Sequence, residues 1–211
     1  AAASALAIAP LAANAQDAEN FYKGKSISIY VGYAPGGGSD LWARFIARHY
    51  GRHLPGEPSV IVQNMPGAGG FAAMNHVYNA APKDGTHIIL SSTSAFTPPA
   101  MGTANVRWDT LKLQWIGNMT QDTSSCVASG QSGFKSMTDV KSRPMIFGAD
   151  GTDDSAAHHP RFMSKLFGFN FKIVAGYKGT GPAMLALDRG EIDARCAMWA
   201  SLALTSRKED I

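Results

Sequence analysis
The sequence predicts an α/β fold with parallel strands, on three observations. An apolar strand-like run, a glycine-rich turn and a helix-like stretch follow one another, and the same order then repeats before a third apolar run. That is the pattern of consecutive βαβ units. A similar alternation returns in the second half of the 211-residue chain. Composition agrees: 45% hydrophobic and 17% charged residues suit a globular chain, with core enough for one large domain or two modest ones.

The elements read in order as follows. "SISIYVGYA" (26–34) is a buried strand, followed by "PGGGSD" and then "DLWARFIARHYGRHL" (40–54). Apolar residues at 41, 42, 45, 46 and 50 give that stretch a helical period. "SVIVQNM" (59–65) is a second strand, closed by "PGAGG" (66–70), and "FAAMNHVYNAA" (71–81) is a helix ended by Pro82. "HIILSST" (87–93) is a third strand, and residues 94–119 are irregular.

The second unit begins near residue 120. "SSCVASG" (124–130) is a short strand, and "SMTDVKS" (136–142) a short helix with Ser136 or Thr138 as its cap. "PMIFGAD" (144–150) is a strand running into "GTDDS", and "HPRFMSKLFGF" (159–169) is helical. "FKIVAGY" (171–177) is a strand closed by "KGTGP", "AMLALDRG" (183–190) a helix stopped by Gly190, and "IDARCAMWA" (192–200) a last strand. Two lobes are therefore expected, 16–119 and 120–204, with 205–211 starting a connection back toward the first.

Glycine at a strand-to-helix turn leaves backbone N–H groups uncovered. The following helix adds unpaired N–H groups and a partial positive charge. Such a junction favours a carboxylate or a phosphate. The chain has four: "PGGGSD", "PGAGG", "GTDDS" and "KGTGP". In an open parallel sheet they gather at the carboxyl ends of the strands, where ligands bind. Gly36, Gly37 and Gly38 are expected to let main-chain donors approach a carboxylate closely, with Asp40 capping the helix.

Several function classes are excluded or disfavoured. None of these turns has the G-x-G-x-x-G spacing, and no G-x-x-x-x-G-K-[ST], G-x-S-x-G, H-E-x-x-H or C-x-x-C occurs. No catalytic set, cofactor or metal site is therefore expected. His158 and His159 point too far apart on a helix to share an ion easily, so a surface or capping role is expected. Asp153 and Asp154 are expected to serve a helix start. Trp108, Trp115 and Trp199 are expected in the core or between the lobes. A net charge of +3 without a basic run gives no reason to expect nucleic acid.

Residues 1–15, "AAASALAIAPLAANA", have the small apolar character and the Ala13-Asn14-Ala15 ending of a secretory signal peptide, predicting an exported product. Export permits a disulfide between Cys126 and Cys196; two buried free thiols are the equal alternative.

Over most of residues 22–200 the chain resembles the substrate receptors of tripartite tricarboxylate transporters, the Bug-type extracytoplasmic receptors. The pieces that carry the resemblance are "APGGGSD", "NMPGAGG", "APKDGT", "YKGTGPAM" and "GEID", in that order. It implies a type II periplasmic-binding-protein fold, two α/β lobes around a cleft. It also implies a small organic carboxylate as ligand, a membrane permease as partner, a periplasmic location and a monomer. The implied ligand-binding residues are Ala34, Gly36, Gly37, Gly38, Ser39 and Asp40 in the first turn. Gly67, Ala68 and Gly69 follow in the second, then the hydroxyls Ser92, Thr93 and Ser94. The second lobe adds Gly151, Thr152, Tyr177, Lys178, Gly179 and Thr180, with Asp193 structural. Many relatives have a hydroxyl-rich turn where this chain has "GTDDS"; its added carboxylates point away from citrate and toward a mono- or dicarboxylate. Relatives also continue past Ile211, which implies a chain truncated at both ends. A periplasmic sensor, or an enzyme on a similar scaffold, is the alternative reading.

Overall fold
The computed structural model describes residues 21–205, with the side chain of Ser94 left aside. The expected leader, 1–15, and residues 206–211 of the expected connection lie outside that range.

Two sheets organise the chain. The first contains β1 (Ser26–Val31), β2 (Ser59–Asn64) and β3 (His87–Leu90), all parallel, in the order β2-β1-β3. β1 is central and its last five residues are buried, which suits its mostly apolar sequence, with the small Ser28 the buried polar exception. Ile29 and Val31 pack against Ala43 of α1 (Gly38–Tyr50). Phe71 and Met74 of α2 (Phe71–Asn79) pack with Ala95 and Trp108 in a separate cluster. Trp108 anchors the irregular stretch by donating its indole N–H to the Ala95 carbonyl at 2.9 Å. That stretch contains one short α-helix, α3 (Thr97–Ala100), and a 3-10 turn at Thr110–Lys112.

The second sheet has the order β4-β7-β5-β6. Its strands are β4 (Ser124–Ala128), β5 (Met145–Ala149), β6 (Phe171–Ala175) and β7 (Ala194–Met198). β5 runs parallel to both β6 and β7, whereas the edge strand β4 is antiparallel to β7. Ala156 and Ala157 of α5 (Ser155–Phe167) cluster with Ala149. Met184 and Leu187 of α6 (Thr180–Asp188) cluster with Ile192 and with Leu202 of α7 (Trp199–Thr205). Cys126 and Cys196 stand directly opposite each other in the β4–β7 ladder and form a disulfide, deciding between the two sequence readings.

Several expectations are corrected. The short helix is α4 (Asp139–Ser142), and neither Ser136 nor Thr138 caps it. The Asp139 carboxylate takes the N–H groups of Lys135 and Ser136 instead, at 2.8 and 2.9 Å. α5 starts four residues before the expected position because Asp154 caps it, accepting the Ala157 N–H at 2.9 Å. His158 and His159 therefore lie inside its first turns, half-buried, and not at its start. The last strand stops at Met198, where Asp122 accepts the Ala200 N–H at 3.0 Å and α7 begins. Trp108 is buried, but Trp115 and Trp199 are 52% and 47% exposed; Trp115 stacks on Phe96 at the surface. Among the described residues no helix is long and apolar enough to cross a membrane.

Candidate functional site
The four glycine turns meet. Ala34 in the first donates its N–H to the Lys178 carbonyl in the fourth at 2.7 Å. The second and third touch even more closely. A Cβ on Gly69, which sits at φ 66°, would lie 2.6 Å from Asp154 Cβ, and one on Gly151 would lie 2.9 Å from the carbonyl carbon of Ala68. Glycine at 69 and 151 thus lets the two loops approach backbone to backbone.

Beside this junction lies a cleft of about 460 Å³, lined from both sheets. Gly37, Gly38 and Ser39 reach it from the start of α1, Ser155 and Ala156 from the start of α5, and Thr180 from the start of α6. Three helix N-termini, each with first-turn N–H groups that have no acceptor inside the helix, therefore converge on one space. Tyr33 and Ser92 line the cleft too, and their hydroxyls are 2.9 Å apart. A smaller cavity of about 240 Å³ continues past Tyr33 to Gly69, Gly70, Ser91 and Ser92.

The turn after β1 is held from beneath. Asp40 is 2% exposed and accepts from the Gly36 N–H at 2.8 Å, Arg44 Nε at 2.9 Å and Asn64 Nδ2 at 2.9 Å. Burial pulls its pKa up, but these hydrogen bonds outweigh burial and hold the carboxyl below its ordinary value. Asp40 therefore braces the loop and takes no helix N–H, and the Gly36 N–H is already engaged. Asp154 takes three N–H groups, from Ala157, Asp150 and Gly151. Burial, then the nearby Asp150 charge, nevertheless push its pKa to about 6.

Of the expected ligand residues, Gly37, Gly38, Ser39, Ser92 and Thr180 line the cleft, and Gly69 with Ser92 lines the smaller cavity. Ala34, Ala68, Gly151 and Gly179 serve the contacts between turns, and Gly36 and Asp40 brace the first of them. Gly67 shapes the second turn at φ 156°, and Tyr177 packs over Gly148. Thr93, Thr152 and Lys178 are exposed. Asp193, expected to be structural, accepts the Ile146 N–H at 2.8 Å and so joins β7 to β5.

Sequence reasoning passed over Tyr33, Asp150, Arg195 and Ser201, all on the cleft wall. Arg195 is 1% exposed and its Nη2 lies 2.8 Å from Asp150 Oδ1. A signal was available: a lone arginine within the apolar run "IDARCAMWA" is an unusual strand residue unless it is paired. Among the described residues no three His, Cys, Asp or Glu side chains gather as metal ligands.

Residues 43–207 match the family described as "Tripartite tricarboxylate transporter family receptor". The chain belongs to that family. Its members are solute-binding receptors rather than enzymes. A UPF0065 protein of Agrobacterium vitis is 30% identical over 196 residues, which are 90% of this chain and 54% of that protein. The chain thus spans about half the length of this relative. Among solved structures, the periplasmic binding protein BugD superposes with a TM-score of 0.75 at 24% identity, covering 86% of this chain and 62% of BugD. MatC from Rhodopseudomonas palustris with bound malate gives a TM-score of 0.68 at 23% identity, over 82% and 60% of the two chains. At those identities the likeness is one of fold: a receptor-family member has the periplasmic-binding-protein architecture.

Proposed function
We propose that this receptor-family chain captures a small organic carboxylate in the cleft between its two sheets and delivers it, in the periplasm, to a membrane permease of the tripartite type. Residues 16–119 and 120–204 are its two lobes in this reading. One observation carries it: the N-termini of α1, α5 and α6, contributed by both lobes, line the same cleft. The first-turn N–H groups of these helices, apart from the Ala157 N–H that Asp154 takes, and their partial positive charges suit an anion and provide no general base or nucleophile. The malate held by MatC, a protein of the same architecture, supports a ligand of this class.

The test uses Gly37, which is buried on the cleft wall with an extended backbone at φ −81° and ψ 169°. A Cβ there meets nothing nearer than the Ala34 carbonyl at 3.8 Å, so the fold accommodates a side chain while the cleft does not. A thermal-shift screen of organic acids on the wild-type chain should find one whose melting temperature rises with concentration. Gly37→Val should fold and lose that shift. A variant that binds as well as the wild type, or a wild type that answers to no acid, refutes the reading.

A further inference from the structure
We propose that the outer face of α1 is a docking surface for an anionic phospholipid bilayer. It is separate from the cleft, and none of its residues lines that space.

The helix has two distinct sides. Ala43 is buried and packs with Ile29 and Val31 of β1, beside the half-buried Ile46 and Ala47. At about 100° per residue, Leu41, Arg44, Phe45 and Arg48 fall together on the opposite side. All four are exposed, Phe45 by 56%. Arg52 and His53, in the 3-10 turn that continues the helix, are exposed as well.

Two features set this face apart from an ordinary solvated one. The first is its single sign of charge. Residues 41–56 contain no aspartate or glutamate, whereas a solvated helix face ordinarily mixes the signs. Arg44 is paired with the buried Asp40 at 2.9 Å, but among the described residues Arg48 and Arg52 have no carboxylate partner. The second is the presence of Leu41 and Phe45 among these cations, on the side of an amphipathic helix where polar residues belong. Phe45 meets Trp42 and His49 edge-on, with ring centroids 6.0 and 5.1 Å apart, and still remains more than half exposed.

That combination suits lipid headgroups. Arginine binds phosphate through its planar fork while its methylene stem lies along apolar surface. Arg48 and Arg52 can thus hold headgroup phosphates while Leu41 and Phe45 enter the acyl boundary. A nucleic-acid duplex would meet the arginines and leave the two apolar side chains in water. An acidic protein would need a pocket of its own for Phe45, whereas a bilayer needs none. So few contacts give a weak, reversible and salt-sensitive attachment.

Co-flotation of the full chain with lipid vesicles tests this. The chain should rise with vesicles of phosphatidylcholine containing phosphatidylglycerol and stay behind with phosphatidylcholine alone. Raising the salt from about 0.1 to about 1 M shortens the screening length from about 10 to about 3 Å and should release it. Arg48→Gln combined with Arg52→Gln should weaken binding about 20- to 30-fold, at about fivefold for each cation. Phe45→Ser should weaken it about fivefold. Lys165→Gln combined with Lys172→Gln removes the same charge from exposed positions on α5 and β6 and should change nothing. Circular dichroism checks that each variant folds; where Phe45→Ser does not, the two charge pairs carry the test. Equal loss from both pairs means that net charge alone draws the chain to the vesicles, and overturns the proposal. Absence of binding to anionic vesicles overturns it too, and retention on heparin in that case marks the face as a site for another polyanion.

Discussion

The Asp40 carboxylate, in the first turn of α1, accepts the main-chain N–H of Gly36 at 2.8 Å from the loop that precedes the helix. Arg44 and Asn64 complete its coordination, so one buried group fixes loop, helix and neighbouring strand. Asp40→Ala should cost about 2–3 kcal/mol, because it deletes three hydrogen bonds and leaves the Gly36 N–H unmet. The folded pKa lies below the unfolded one, so this stabilisation is present above pH ~4 and is lost as pH falls through the folded value. Urea unfolding of wild type and variant should therefore differ at pH 7 and converge in acid. A constant difference across that range rejects the account.

Gly38 and Ser201 touch where α1 meets α7. A Cβ on Gly38 would lie 2.1 Å from Ser201 Oγ, 2.9 Å from its Cβ and 3.0 Å from its Cα. Rotating the serine moves only the first of these atoms away. Gly38→Ala should thus destabilise by about 1–3 kcal/mol through overpacking. Adding Ser201→Gly should recover a substantial part, read as a coupling in a double-mutant cycle. Additive effects show that the two helices do not press on each other here.

The disulfide closes a loop of 70 residues between β4 and β7. Loop-closure entropy gives its removal a cost of about 4 kcal/mol. Replacing both cysteines with serine should lower the melting temperature by roughly 10 °C. An unchanged melting temperature shows that the β4–β7 ladder holds without it.

Much of this was legible in the sequence, and the gaps have physical causes. β1 and β5 were plain because strands buried on both faces are rich in Ile, Val, Phe and Met, β1 admitting only the small Ser26 and Ser28 among them. The glycine turns were plain because close backbone approach and positive φ require that residue. The start of α7 was missed because its first turn is completed from far away: Asp122 is 78 residues from the N–H it accepts at Ala200, and nothing local announces it. Arg195 was overlooked because its meaning depends on Asp150, 45 residues away and one strand over. Asp40 was read as a helix cap because its position fits one; only coordinates show its oxygens turned toward Gly36 and Asn64.

Asp154 should give the opposite pH signature to Asp40. It caps α5 and is pressed against Gly69 of the facing turn, where burial first, and the Asp150 charge next, raise its pKa to about 6. The folded chain then binds the proton more readily than the unfolded chain. Stability from this group is complete below the unfolded value of 3.8 and declines as pH rises through the folded value near 6. The full difference is about 3 kcal/mol. Burial lowers the pKa of His158 on the same helix, so that group acts in the reverse sense and partly masks the effect. Comparing wild type with Asp154→Asn removes the masking, because the histidine is common to both and asparagine still caps the helix. Urea unfolding between pH 4.5 and 7.5 should show the wild type losing stability relative to the variant as pH rises. Parallel curves over that interval mean that Asp154 is ionised throughout, and that its three N–H donors outweigh its burial.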